Sequence, residues 1–116
     1  KFALVDQSAE LGLSNIILPF AKVGPFSTIK DNILINNFCN IEHEVVINNH
    51  CNCNPGSVIC GRSILDHSIT IGANATVIEN IKIKNSNIIG AGSVVIRNIN
   101  TSNNVYVGIP AKILKK

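Results

Sequence analysis

The chain has 116 residues, of which 46% are hydrophobic and only 15% charged. This length suits one domain, and the composition is that of a folded protein rather than a disordered one. The formal net charge of +3 is not gathered into a basic stripe, and aromatic residues make up only 4%, so nucleic-acid binding is not indicated. No apolar run of membrane-spanning length and no signal peptide is visible, so we expect no membrane partner.

The four cysteines lack the paired CxxC spacing of zinc sites and lie among apolar residues; they are Cys39, Cys51, Cys53 and Cys60. We interpret them as buried free thiols rather than as disulfides or metal ligands. Free thiols persist in a reducing compartment, so the sequence favours a cytoplasmic protein with no bound metal.

A six-residue repeat runs through most of the chain. Every sixth residue from Val5 to Val95 is Val, Ile or Leu, with one Cys as the exception: Val5, Leu11, Ile17, Val23, Ile29, Ile35, Ile41, Ile47, Cys53, Ile59, Leu65, Ile71, Val77, Ile83, Ile89 and Val95. A helix period of 3.6 or a strand period of 2 does not produce this pattern. One aliphatic residue in six predicts a short strand followed by a corner, which is typical of hexapeptide β-helices.

Three such units make one triangular coil of eighteen residues, so the sequence predicts an all-β fold, a parallel β-helix of about five coils. Small residues recur in steps of eighteen, as a narrow prism requires: Ala21, Cys39, Ser57, Ala75 and Ser93. Periodicity does not determine the handedness of the coil, because ordinary parallel crossovers are right-handed.

The regular pattern ends near residue 100. Thr101 stands where the next aliphatic residue is due, and it opens a polar turn cluster that runs to Asn104. Val105–Val107 then predicts one more short strand, followed by Gly108-Ile109-Pro110-Ala111-Lys112. We therefore divide the chain into a repeat domain, residues 1–100, and a C-terminal loop and strand, residues 101–116.

The repeat, with the closing segment Val107–Lys112, resembles the hexapeptide-repeat acyltransferases. The segment Asn36 to Glu44, which ends Ile-Glu-His-Glu, is similar to the branch that acetylates sugar oxygen or nitrogen atoms, including sialic acids and nucleotide-linked 4-amino sugars. The resemblance implies a left-handed β-helix, acetyl-CoA as acyl donor, a sugar or nucleotide-sugar acceptor and a homotrimer with clefts between subunits. The N-terminal βαβ nucleotide-binding domain usual in that branch is absent here, so we expect a separate or truncated catalytic domain.

His43 is the candidate general base. It lies two residues beyond Ile41, which predicts an outward position at a corner, and imidazole suits proton abstraction near neutral pH. Glu44 can hold one ring nitrogen and leave the other for the substrate. Gly61 lies eighteen residues after His43, so its N–H should be open at the same corner as an oxyanion donor. Taken without the resemblance, these residues are a solvated surface pair and a turn glycine with positive φ.

The resemblance implies that Asn36 contacts pantetheine or substrate. Asn52 stands where many relatives carry a second His, and an amide there can still bind a thioester carbonyl. Gly72, Ala73, Gly90 and Ala91 would keep a groove open for the pantetheine arm, or else they are simply strain-free corners. Lys112 is available to the coenzyme A phosphates.

Two alternatives stay open. A zinc-dependent hydratase on the same fold would need three histidines, and His43, His50 and His67 supply the number but not the spacing. A non-catalytic β-helix subunit is the other alternative.

Overall fold

The computed structural model describes residues 2–114; residues 1, 115 and 116, which the predicted domain boundaries include, lie outside the described part. In chain order the strands are β1 Leu4–Val5, β2 Glu10–Leu11, β3 Ile16–Ile17, β4 Lys22–Val23, β5 Thr28–Ile29, β6 Leu34–Ile35, β7 Asn40–Ile41, β8 Val46–Ile47, β9 Asn52–Cys53, β10 Val58–Ile59, β11 Ile64–Leu65, β12 Thr70–Ile71, β13 Thr76–Val77, β14 Lys82–Ile83, β15 Ile88–Ile89, β16 Val94–Val95, β17 Val105–Val107 and β18 Lys112–Ile113. Residues 2–114 contain no helix that could cross a membrane.

The strands form the three faces of a prism measuring 41 × 22 × 20 Å. The first face contains β1, β4, β7, β10, β13 and β16; the second contains β2, β5, β8, β11 and β14; the third contains β3, β6, β9, β12, β15, β17 and β18. Within the regular coils each strand pairs in parallel with the strand eighteen residues away, as Ile41 does with Val23 and Ile59. The solenoid is left-handed, so the predicted fold class is confirmed.

The core is the column of aliphatic residues that the repeat predicts. From Val23 to Val95 every member of the column is at most 2% exposed. Burying each large aliphatic side chain stabilises the fold by about 1.5–3 kcal/mol. The first coil is the exception, since no described strand packs on its outer end and Leu11 is 45% exposed. The predicted small-residue column, Ala21, Cys39, Ser57, Ala75 and Ser93, is also buried.

The corners share one backbone conformation. Every sixth residue from Ser14 to Gly92 has a left-handed φ near +60°, including Glu44 and Arg62. That conformation costs a side-chain-bearing residue about 1 kcal/mol or more. Hydrogen bonds to the preceding coil offset the cost, as where the Glu44 N–H donates to the Pro25 carbonyl and the Arg62 N–H to the His43 carbonyl.

The coil number corrects the prediction of about five, because a sixth, irregular coil follows the five regular ones. After Val95 the next bridge to the second face comes from Ile99, four residues on, which pairs with Ile83. Tyr106 then takes the place on the third face, beside Ile89. Thr101, which is due to occupy the inward column, instead bonds the Tyr106 hydroxyl through its own hydroxyl at 2.7 Å. The solenoid closes with β18, which pairs antiparallel to β17.

Candidate active site

His43 lies at the first corner, where the chain turns from the first face to the second. Strand β7 delivers it there, because Ile41 points inward and the two residues after it leave the strand. The His43 side chain is 47% exposed, as predicted for an outward corner position. Such a side chain is accessible to a substrate without any change in the fold.

One carboxylate oxygen holds the imidazole. His43 Nδ1 lies 3.0 Å from Glu44 Oε1, so the neutral ring that donates there carries its proton on Nδ1. This leaves the Nε2 lone pair free to accept a proton. The same Oε1 is 3.4 Å from Nε of Arg62, which occupies the next coil in line with Glu44.

Gly61 lies directly beside the free face of the imidazole. A Cβ at position 61 would overlap His43 Nε2, and it would lie 2.6 Å from Cε1 and 3.0 Å from Cδ2. The juxtaposition predicted from the eighteen-residue repeat is confirmed. Gly61 does not have a positive φ, so the turn-glycine interpretation does not explain it. Gly61 is buried, and among residues 2–114 no acceptor is bonded to its N–H, so this donor is unpaired.

A shallow pocket of about 230 Å³ surrounds these groups and is lined by Glu42, His43, Cys60, Gly61 and Glu79. Glu42 forms an ion pair with Lys22 at 3.6 Å, whereas Glu79 has no ionic or hydrogen-bonded partner within the described chain. Burial raises the pKa of the Cys60 thiol, and the charges of Glu42 and Glu79 raise it further. The pocket therefore combines an imidazole, an unpaired backbone N–H and negative charge.

Cys60 corrects the prediction of four buried thiols. All four cysteines are free, but Cys60 is only half-buried at the first corner, while Cys39, Cys51 and Cys53 lie in the core. Position 60 is not part of the inward column, and the sequence interpretation did not separate it from the other three.

Most of the predicted coenzyme A residues lie at the third corner, where the chain turns from the third face to the first face of the next coil. Gly72 is required by packing, because a Cβ there would come within 2.5 Å of the Ala91 nitrogen on the next coil. A Cβ on Gly90 would lie 2.8 Å from the side-chain Cγ1 of Val107. Ala73 is half-buried and Ala91 is exposed. These positions therefore place only small side chains on the outer surface of the corner.

Asn36 also lies at the third corner, where its Oδ1 accepts the N–H of Asn37 at 2.8 Å. Asn52 is exposed at the start of β9 on the third face. Lys112 is exposed on β18 at the C-terminal end, beside a cavity of about 180 Å³. The structure thus places His43, Glu44 and Gly61 together, and it does not bring any of the predicted coenzyme A residues to them within one chain.

The three histidines of the zinc alternative do not lie together in the described part of the chain. His50 lies at the second corner, where its Nδ1 is bonded to Asn32 at 2.9 Å, and His67 lies one coil further along that corner. His43 is at a different corner of the prism. Within residues 2–114 no three side chains of His, Cys, Asp or Glu are grouped to hold a metal ion.

Sequence comparison finds no matching family model and no significantly similar curated protein. Structure comparison finds the acetyltransferase domain of PglB from Neisseria gonorrhoeae FA1090, with a TM-score of 0.95 and 25% identity over 97% of this chain and 55% of that one. The same domain in complex with acetyl coenzyme A gives a TM-score of 0.94 at 24% identity.

PerB from Caulobacter crescentus, in complex with CoA and GDP-perosamine, matches with a TM-score of 0.76 and 25% identity over 98% of this chain and 55% of its own. A variant of AntD, an N-acyltransferase from Bacillus cereus in complex with dTDP and coenzyme A, matches in fold with a TM-score of 0.87 and 18% identity over 99% of this chain and 77% of its own. The chain spans little more than half the length of PglB's domain and of PerB. These likenesses confirm the resemblance of the chain to the hexapeptide-repeat acyltransferases.

Proposed function

We propose that the chain is an acetyl-CoA-dependent acetyltransferase that acts on an amino group of a sugar or nucleotide-linked sugar. The observation that carries this proposal is the arrangement at the first corner. His43 is held through Nδ1 at 3.0 Å by Glu44, and its free Nε2 lies against the backbone of Gly61. A base and an unpaired N–H at one point are what acyl transfer from a thioester requires.

In the proposed reaction the acceptor, bound as an ammonium ion, first loses one proton to water. The neutral amine then attacks the thioester carbonyl while His43 Nε2 takes a second proton from the nitrogen. The carbonyl oxygen gains the negative charge and accepts the Gly61 N–H. When the tetrahedral intermediate collapses, the carbon–sulfur bond breaks and the coenzyme A sulfur leaves with the proton that the imidazolium returns. General-base catalysis of this kind contributes typically 10²- to 10⁴-fold, and one oxyanion donor about 10²- to 10³-fold.

An amine is favoured over a hydroxyl acceptor for two reasons. Structural relatives include the GDP-perosamine N-acetyltransferase of Caulobacter crescentus, at 25% identity. The pocket at the first corner is also lined by Glu42 and Glu79, and an unpaired carboxylate attracts a protonated amine more strongly than a neutral hydroxyl.

The coenzyme A site needs a second copy of the chain in this proposal. Gly72, Ala73, Gly90 and Ala91 lie at the third corner, a full face of the prism away from His43 at the first. A homotrimer would set the first corner of one copy against the third corner of its neighbour. Asn36 and Asn52 would then line the cleft, and Lys112 would reach the phosphates at the C-terminal end.

Two measurements test the proposal. Calorimetry should detect coenzyme A binding by the 116-residue chain without an acceptor, and light scattering should give three times the 12.4 kDa chain mass. Chromatography should then detect N-acetylated product from a nucleotide-linked amino sugar, and none from the matched hydroxyl sugar. Product is the better readout than thiol release, because the chain contributes four free thiols. A chain that binds no coenzyme A would contradict the proposal.

A further inference from the structure

Arg62 contacts both halves of the His43–Glu44 pair, and the proposed mechanism does not use it. Its backbone N–H donates to the His43 carbonyl at 3.0 Å. Its side-chain Nε lies 3.4 Å from Glu44 Oε1, the same oxygen that His43 Nδ1 contacts at 3.0 Å. Two cationic or donor groups from successive coils therefore converge on one carboxylate oxygen.

From this convergence we propose that Arg62 is a positioning residue, which holds the Glu44 carboxylate so that His43 keeps its proton on Nδ1 and its lone pair on Nε2. The inference rests on the proposed function of His43 as base. Glu44 needs a second anchor because its side chain has three rotatable bonds and is 47% exposed. A carboxylate free to turn into water would release Nδ1, and the ring would then sample the tautomer that has no lone pair on Nε2.

The guanidinium has a second effect, which opposes the first. A positive charge near His43 disfavours the imidazolium that forms when the base takes a proton. Arg62 is 57% exposed, so water and salt screen this repulsion. The contact that holds Glu44 is short-range and is less affected. The positioning of Glu44 by Arg62 should therefore outweigh the charge repulsion, and removal of Arg62 should slow the reaction.

The eighteen-residue stack offers a matched control. Asn80 follows Arg62 in the same column, with φ of +59° against +64°, and its N–H donates to the Gly61 carbonyl as the Arg62 N–H does to His43. Its side chain has no hydrogen bond or ion pair in the described chain. Asn80→Ala therefore reproduces the loss of a side chain at a left-handed corner without touching Glu44.

The kinetic test compares Arg62→Ala, Arg62→Lys, Arg62→Gln and Asn80→Ala. Exposed ion pairs are worth up to about 1 kcal/mol, so Arg62→Ala should lower kcat about three- to fivefold, with KM values for both substrates unchanged. Arg62→Lys should restore kcat to within about twofold, since a single contact from a charged nitrogen is all that it must replace. Arg62→Gln should have a kcat similar to that of Arg62→Ala. Asn80→Ala should have a kcat similar to that of the wild type.

In a Glu44→Gln background, Arg62→Ala should change kcat by less than about 1.5-fold, because the group that it holds is gone. The proposal would be overturned if Arg62→Ala lowered kcat as much in the Glu44→Gln background as in the wild type, or if Asn80→Ala lowered kcat as much as Arg62→Ala does. An effect of Arg62→Ala on KM alone would overturn it as well.

A second readout needs no substrate and so separates this inference from the proposed function. Nitrogen-15 NMR at mildly alkaline pH should show His43 mainly as the Nδ1–H tautomer in the wild type and as a mixture in Arg62→Ala. A wild type that performs no acetyl transfer but shows this difference would reject the proposed function and retain the positioning role. A tautomer that is the same in both proteins would reject the positioning role even if the enzyme is active.

Discussion

Gly61 and His43 are packed so closely that a single methyl group on Gly61 would occupy the volume of the imidazole. The Cβ of an alanine at position 61 would lie 2.6 Å from His43 Cε1. The glycine is therefore required by its neighbour in the adjacent coil. The coil step that builds the fold is also the step that forms the candidate site.

Gly61→Ala should lower kcat about 10- to 100-fold, because the ring must rotate away from the added methyl group and loses its contact with Glu44. The fold should tolerate the change, since the His43 side chain is 47% exposed and has room to move outward. Steady-state kinetics on folded protein check this outcome, with coenzyme A binding measured alongside.

Gly12→Ala is the control for that variant. A Cβ at Gly12 would lie 2.7 Å from the Lys30 carbonyl carbon, on the second corner and far from the site. Backbone cannot move aside as a side chain can, so Gly12→Ala should lower the melting temperature more than Gly61→Ala does and leave kcat unchanged. If Gly61→Ala instead lowered the melting temperature more than Gly12→Ala does and left kcat unchanged, Gly61 would serve packing alone.

Glu79 provides a test of the acceptor class. Glu79→Gln keeps the shape of the side chain and removes a charge that lines the His43 pocket. An exposed charge is worth about 0.2–1 kcal/mol, so KM for an amine acceptor should rise about two- to fivefold while KM for acetyl-CoA stays constant. An unchanged KM for the amine would argue against charge-based selection of the acceptor.

The stacking of coils explains which parts of the structure are predictable from the sequence. The period of six identifies the inward column, and its multiple of eighteen identifies the neighbours of His43. The same arithmetic pairs Glu44 with Arg62 and places Glu79 two coils beyond His43 at the same corner, so both relationships are predictable from spacing.

Other features do not follow from spacing. Ile99 and Tyr106 continue the core of the sixth coil at irregular intervals, and only their pairing with Ile83 and Ile89 reveals it. Left-handed corners occupied by Phe26 or Arg62 have no local signal, because these residue types do not favour positive φ. The proposed meeting of the third corner with His43 would depend on a second chain, which no intrachain period encodes.

The core column should control stability coil by coil. Ile71 is fully buried and pairs with Cys53 and Ile89 on adjacent coils. Ile71→Ala should lower the free energy of unfolding by about 2–5 kcal/mol, as large-to-small substitutions in a close-packed core do. Thr70→Ala, on the same strand but facing outward, should cost about 0.5 kcal/mol or less. Urea titration of both variants checks the contrast, and equal losses would contradict the inward assignment.

Buried thiols should make the fold sensitive to alkali. Burial raises the pKa of Cys51 to about 11 from the 9.0 of an exposed thiol. The unfolded chain then releases the Cys51 proton at a lower pH than the folded one, so stability is fully present below pH 9 and falls as the pH rises towards 11. The loss should be on the order of 2 kcal/mol. Urea midpoints across this range should fall less steeply in Cys51→Ala than in the wild type; parallel slopes would show that Cys51 stays protonated in both states or ionises freely in the fold.

The role of His43 as general base is tested most directly by the rates of acetyl transfer to a nucleotide-linked amino sugar by the wild type and by His43→Ala. The substitution removes an exposed side chain, so folding and coenzyme A binding should be unchanged. If His43 is the base, kcat/KM should fall about 10²- to 10⁴-fold. A His43→Ala protein that retains acetyl transfer within about threefold of the wild type would show that His43 is not the base.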